Sequence, residues 1–303
     1  MNFKNFTTLQ TNFMLPILLD FKFVKIYTFG VFLMLAFFWG SFLLWRLIRL
    51  TSYKEEEIFD GLFWSLAGGL FWGRLVYVIL NFKEFGFNFL KFILINGYPG
   101  LSLYGGFFGG FLTIFIYFLV KKIKFSEAID YFVPPLFIAL ALGKLGSFFS
   151  GAEVGTKTKF LLAVKYIGFD GFRHLTPFYE AILFLLGAYL AYRLVFEIRK
   201  EKLTTGLNFY FIFGYFALVY LLLDKFKFNH LYLGNKSFNE IVSAILFLTI
   251  TGYFLYYFRT AIWERFSMII NFFYQHVKKI TQRIYHLTKR KTANRAKKNS
   301  ASS

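Results

Sequence analysis

Seven polar side chains sit in or at the ends of otherwise apolar stretches: Arg74, Tyr104, Lys144, His174, Glu180, Tyr220 and Asp224. Their types suit phosphate and proton chemistry, because cations neutralise a phosphate and a nearby carboxylate or imidazole can take a proton. Ionisable groups in hydrocarbon are costly, so they normally face a bundle interior, a partner or a water-filled cavity. Each residue also has a duller explanation. Arg74 and Lys144 can snorkel to headgroups, Glu180 and Asp224 can cap helices or pair locally, and a histidine at a helix start can do the same. Their depth carries the further information, and depth depends on the elements that hold them.

Those elements are expected to be transmembrane helices. The chain is 57% hydrophobic, 24% aromatic and only 17% charged, against roughly 25% charged in soluble domains. Apolar stretches of about twenty residues, each long enough to cross a bilayer core, recur near 26–46, 57–81, 100–120, 129–149, 177–196, 206–224 and 239–258. The fold class is therefore all-α, a polytopic membrane protein with about seven transmembrane helices. Residues 1–260 are expected to form the membrane domain and 261–303 a basic tail, with 261–280 amphipathic and the remainder from about Thr281 disordered. The opening Met1–Asp20 lacks a basic start and a small-residue cleavage site, and is not expected to be a cleaved signal peptide.

Orientation follows from cations. Arg46, Arg49 and Lys54 follow the first span, Lys121, Lys122 and Lys124 the third, and Arg193, Arg199, Lys200 and Lys202 lie at or after the end of the fifth. Eleven of the 35 basic residues fall between Arg259 and Lys298. These segments are expected to face the cytoplasm, which puts the N-terminus outside and the C-terminus inside. A basic tail beside a membrane faces anionic headgroups, so nucleic acid is not an expected partner. With this orientation Arg74, Tyr104, Lys144, His174, Glu180, Tyr220 and Asp224 reach one depth, in the outer half of the membrane, which favours a site open to the outer leaflet and to a phosphate-bearing lipid. Zero cysteines exclude disulfides, thiolate metal sites and a thiol nucleophile carried by the protein, and four scattered histidines make no metal cluster. In Tyr104-Gly105-Gly106-Phe107-Phe108-Gly109-Gly110 two small-xxx-small patterns overlap; close helix packing is favoured over backbone contact with a ligand.

Four segments carry a resemblance. Leu101-Ser102-Leu103-Tyr104-Gly105-Gly106-Phe107-Phe108-Gly109-Gly110, the run from Gly143-Lys144-Leu145-Gly146-Ser147 to Glu153-Val154-Gly155, Arg173-His174-Leu175-Thr176-Pro177-Phe178-Tyr179-Glu180-Ala181, and Gly73-Arg74-Leu75-Val76-Tyr77-Val78 resemble, in order and spacing, motifs of the bacterial prolipoprotein diacylglyceryl transferases. The likeness covers roughly residues 15–260. It differs in having Lys144 for an arginine, Ser147 and Ser150 where asparagine is common, Leu175 for a proline, and Tyr220, Asp224 and Lys227 where the family usually has Arg, Glu and Arg.

The resemblance implies seven helices in the bacterial inner membrane with the N-terminus outside. The implied reaction moves the diacylglyceryl group of phosphatidylglycerol to the lipobox cysteine of a preprolipoprotein signal peptide, giving a thioether and glycerol phosphate. It implies Arg74 and Lys144 on the phosphate, Ser147 and Tyr104 as hydrogen-bond donors, and Gly105, Gly106 and Tyr220 against substrate. His174 or Glu180 is implied as the base, with Tyr104 or Asp224 as alternatives. No cofactor and no metal are expected, and a monomer embedded among membrane lipids is. Two rival readings are a catalytically impaired relative acting as a lipid-binding or assembly protein, and a transporter or channel.

Overall fold

The computed structural model describes residues 14–22, 25–94, 97, 98, 100–228, 232, 233, 236–260, 263–268, 270, 271 and 274. In chain order a hairpin of β1 (Ile17–Asp20) and β2 (Lys25–Tyr27) leads into α1 (Thr28–Ile48). Next come α2 (Glu55–Leu80), two short helices α3 (Phe82–Phe85) and α4 (Phe89–Ile93), α5 (Leu103–Val120) and α6 (Phe125–Ser150). A hairpin of β3 (Ala163–Lys165) and β4 (Phe172–His174) then precedes α7 (Thr176–Arg199) and α8 (Leu207–Leu223). A 3₁₀ turn at Asp224–Phe226, the strands β5 (Tyr232–Leu233) and β6 (Lys236–Ser237), and α9 (Phe238–Tyr257) complete the described elements. Each expected apolar span coincides with a helix. Six of them are long and apolar enough to cross a membrane, and the apolar α5 is shorter. The three small antiparallel hairpins were not anticipated by an all-helical reading, because none carries a long alternating pattern.

Local signals explain several helix ends. Glu55, Glu56 and Glu57 occupy the first turn of α2, where the helix dipole favours acid. Ser102 caps α5 by accepting from the Gly105 amide. The residue before α8 is Gly206, which has no capping side chain. The buried Asp130 carboxylate of α6 supplies the cap instead, accepting from the Gly206 amide at 2.6 Å and the Phe209 amide at 3.2 Å. Asn208, fully buried, donates to the Asp130 and Ala191 carbonyls. These polar groups at the far end of α6 are thus committed to holding α6, α7 and α8 together.

Without a hydrophobic drive between helices in lipid, contact depends on close fit. The α2–α5 pair achieves it through small residues: a methyl on Gly73 would lie 3.3 Å from the Gly106 backbone, and one on Gly109 would collide with Trp72 at 2.0 Å. Around α6 the fit is aromatic and aliphatic. Phe137, Phe184, Ala188, Ile212 and Val219 form one buried cluster, and Leu44, Ile58, Ile114 and Phe118 form a second. A third, of Met14, Phe148 and Tyr166, lies under the β3–β4 hairpin. The chain divides into two compact units, Met1–Phe247 and Leu248–Ser303. Within the second, residues 263–268 are helical, while the basic run expected from Thr281 lies outside the described residues.

Candidate functional site

The end of α6 places the central cation. Lys144 stands two turns before the helix stops at Gly151, whose φ of +70° is left-handed and reverses the chain. The reversal brings Glu153 back onto Lys144, and both carboxylate oxygens approach the ammonium, at 2.7 and 2.8 Å. On the other side the second turn of α7 presents Glu180, whose Oε2 lies 2.7 Å from the same ammonium. Lys227, just beyond the end of α8, meets the remaining Glu180 oxygen at 2.6 Å. The Glu180 side chain is completely buried, and those of Lys144 and Lys227 are 13% and 12% exposed.

Two ammoniums and two carboxylates thus alternate as Glu153, Lys144, Glu180 and Lys227, a formally neutral chain. Tyr220 walls it: the Lys227 nitrogen lies 4.1 Å and the Lys144 nitrogen 5.7 Å from the ring centre, within range of cation–π attraction. Ser147, one turn after Lys144, is buried and hydrogen-bonds Glu153. Burial pushes the Glu153 carboxyl up, but the Lys144 and Lys227 ammoniums, with hydrogen bonds from Lys144 and Ser147, outweigh it and hold the group below the usual carboxylate range.

Of the residues singled out in the sequence, Lys144, Ser147, Glu180 and Tyr220 therefore meet. Asp224 sits beside them at the end of α8, with Oδ2 accepting from the Ser237 hydroxyl. Ser237 also caps α9 by accepting from the Glu240 amide. Tyr104 donates to Asn239 at 2.5 Å, so two candidate site residues tie down the start of α9. Arg74 is turned elsewhere. Its guanidinium donates to the carbonyls of Phe92, Gly100 and Lys91 at 2.9, 2.8 and 2.7 Å, and it is 98% buried as the clamp of the α3–α5 connection. Gly105 and Gly106 lie in the α2–α5 contact, where a methyl on Gly105 would lie 2.7 Å from Val76.

His174 ends β4 on the same side of the molecule. Its ring packs against Phe226 at 4.7 Å, with Tyr179 and Phe160 farther out. Among the described residues its buried Nδ1 has no hydrogen-bond partner, and no ion pair joins it to the Lys144 chain. Gly155 permits this arrangement, since a methyl there would sit 2.2 Å from the His174 carbonyl. Arg173 beside it is buried between the Phe169 and Phe228 rings and donates to the Gly155 carbonyl at 3.0 Å.

A family model for prolipoprotein diacylglyceryl transferase matches residues 16–257 of this chain. The chain belongs to that family. Its matched part contains every member of the Lys144 chain and His174. Relatives carry the name phosphatidylglycerol--prolipoprotein diacylglyceryl transferase. The Finegoldia magna protein is 26% identical over 227 residues, covering 74% of this chain and 88% of that relative. The Fervidobacterium nodosum protein is 30% identical over 220 residues, covering 69% and 74%, and a Clostridium botulinum protein is 28% identical over 218 residues, covering 69% and 84%.

Two residues outside the expected site set, Glu153 and Lys227, extend the arrangement around Lys144 and Glu180. Glu153 lies inside the Gly143–Gly155 motif, but it touches Lys144 only because Gly151 reverses the chain. Lys227 stands where the family usually has an arginine, yet its partner, Glu180, is 47 positions away. The signal available was their charge inside an otherwise apolar, motif-bearing region.

Proposed function

We propose that this chain is a phosphatidylglycerol-prolipoprotein diacylglyceryl transferase, a multi-pass membrane enzyme that moves the diacylglyceryl group of phosphatidylglycerol to the lipobox cysteine of preprolipoproteins. A carbon–sulfur bond forms, the carbon–oxygen bond to the phosphate breaks, and glycerol phosphate leaves. Family membership supports the reaction. The observation that carries the site assignment is Lys144 held between Glu153 and Glu180, with Lys227 on the far side of Glu180.

The two ammoniums hold the lipid phosphate and stabilise the charge that develops on it as it leaves. Glu153, on a loop and 38% exposed, is the carboxylate free to move aside, and its departure turns the neutral chain into a cationic one. Ser147 and Tyr104 supply hydroxyl donors, and Tyr220, Gly105 and Gly106 shape the walls. Arg74 acts through the connection it clamps. Glu180 keeps the lysines in place, its charge committed to two cations; the unpartnered nitrogen of His174 is better suited to take the thiol proton. Asp224 secures α9. The chemistry uses no cofactor or metal.

Seven helices span the bacterial inner membrane in this reading, α5 being the seventh. The cations after α1, after α5 and at the end of α7 put the N-terminus outside and the C-terminus in the cytoplasm. Residues 1–260 are the transferase domain and 261–303 a basic cytoplasmic tail; the enzyme works as a monomer and binds no nucleic acid. The test mixes the detergent-purified chain with phosphatidylglycerol and a lipobox peptide and follows the peptide mass. Gain of one diacylglyceryl unit, lost in Lys144→Ala, supports the reading; no gain while a relative works in the same tube overturns it.

A further inference from the structure

At the membrane face opposite Lys144, α6 packs along both α1 and α7 while those two helices leave a groove between them. It forms a half-open cavity of about 580 Å³, within the range of roughly 300–1,000 Å³ typical of small-molecule sites. Helical spacing lays out its walls. Leu43 and Leu47 lie one turn apart on α1 with Leu50 in the turn just after it, and Leu185, Tyr189 and Tyr192 repeat along one face of α7. Leu185 and Tyr189 are exposed, at 45% and 56%, towards what is lipid in a membrane. Ala188 and Ile138 make the floor, and the short alanine side chain gives the groove depth.

Charge lies in the wall. Arg46, in the last turn of α1, lines the cavity, and among the described residues no hydrogen bond, ring or carboxylate holds its guanidinium. One turn from Tyr189, Arg193 leans back over it, with Nη1 at 3.2 Å from the Tyr189 hydroxyl and the guanidinium carbon 6.0 Å from the ring centre. The neighbouring cations are differently occupied: Arg49 pairs with Glu55, Lys200 and Lys202 pair with Glu197, and Arg199 donates to the Leu50 carbonyl. A largely apolar trough lined by one guanidinium, with a second guanidinium on the adjoining Tyr189 and neither paired with a carboxylate, matches one kind of molecule in a bilayer, a lipid with a phosphate headgroup bearing net negative charge.

We propose that this groove holds an anionic phospholipid of the leaflet opposite the catalytic site, a resident molecule that is not consumed. One acyl chain lies between α1 and α7, and the phosphate rests on Arg46 with help from Arg193 and the two tyrosine hydroxyls. The bound lipid fills a gap that protein side chains leave open, and links α1 to α7 across α6.

Native mass spectrometry of the full-length chain in a mild detergent tests this, with dioleoyl phosphatidylglycerol and dioleoyl phosphatidylcholine titrated separately. The charge-reversed pair Arg46→Glu and Arg193→Glu is expected to weaken retention of one phosphatidylglycerol at least tenfold. Leu185→Trp, which fills the groove from its exposed side, is expected to do the same while leaving the charges in place. Both should still transfer diacylglyceryl groups if the wild type does, and Lys144→Ala should keep the groove lipid. Unchanged retention in both groove variants, or equal retention of phosphatidylcholine, would overturn the proposal. Because the readout is bound lipid, failure of the transferase reading leaves this result unaffected.

Discussion

Glu153 holds the Lys144 ammonium with both carboxylate oxygens, at 2.7 and 2.8 Å, from a loop that folds back over the end of its own helix. In the proposed site this carboxylate occupies the place of the lipid phosphate. Glu153→Gln removes the competing charge and leaves Lys144 paired with Glu180 alone. The expected outcome is a lower apparent KM for phosphatidylglycerol, by several-fold, measured by peptide lipidation across a lipid titration. An unchanged or higher KM would show that Glu153 belongs to the bound state and is not displaced.

The same pair makes a pH prediction. The Glu153 carboxyl lies below its ordinary value of 4.5, so its ion pair contributes stability that is present above that value and is lost as pH falls through the lower folded one. Thermal unfolding in detergent, followed from pH 6 downwards, is expected to show wild type losing midpoint temperature below about pH 4.5. Glu153→Gln should fall less steeply over that interval. Its partial exposure keeps the difference small.

Glu180 is completely buried between two ammoniums. Glu180→Gln strands Lys227 in low dielectric and leaves Lys144 to Glu153 alone, and loss of one partner of a buried pair costs roughly 3–5 kcal/mol. Reduced unfolding midpoint together with loss of transfer is expected. Restoring near-wild-type stability in Glu180→Gln by Lys227→Met would show that the stranded charge is the cause; no rescue would place the damage in packing.

His174→Gln separates chemistry from binding. Removal of a general base typically costs about 10²–10⁴ in rate, so transfer is expected to fall by that order while phosphatidylglycerol retention stays within twofold. A retained rate would return the role of base to the carboxylates.

Gly109→Ala probes the membrane packing that carries the site. The added methyl meets Trp72 at 2.0 Å, and overpacking of this kind costs about 1–3 kcal/mol. A lower midpoint is expected, with Tyr104 shifted at the start of the same helix. Gly143→Ala, where a methyl meets nothing within 4 Å, is the matching control, expected to unfold as wild type does.

Hydropathy alone located the long helices among the described residues, because a bilayer requires some twenty apolar residues and every backbone group must be satisfied within the segment. Residue types and shared depth likewise singled out Lys144, Glu180 and Tyr220, and the resemblance added Ser147. What periodicity leaves open is direction around a helix axis near a turn. Arg74 matched a phosphate ligand by type, yet three carbonyls of a chain segment without regular patterning surround it. Glu153 carried no signal beyond its charge, since its position depends on one left-handed glycine.

The amino-acid sequence by itself determined that this protein is built of membrane-spanning helices, where they run, and which polar residues within them are candidates for a site, because burying charge in hydrocarbon is tolerated only for a purpose. The tertiary structure decided which of those groups touch. Ion pairs such as Lys227 with Glu180 join residues from different helices, and their partners are chosen by how α6, α7 and α8 pack, a relation between distant segments that no local pattern contains.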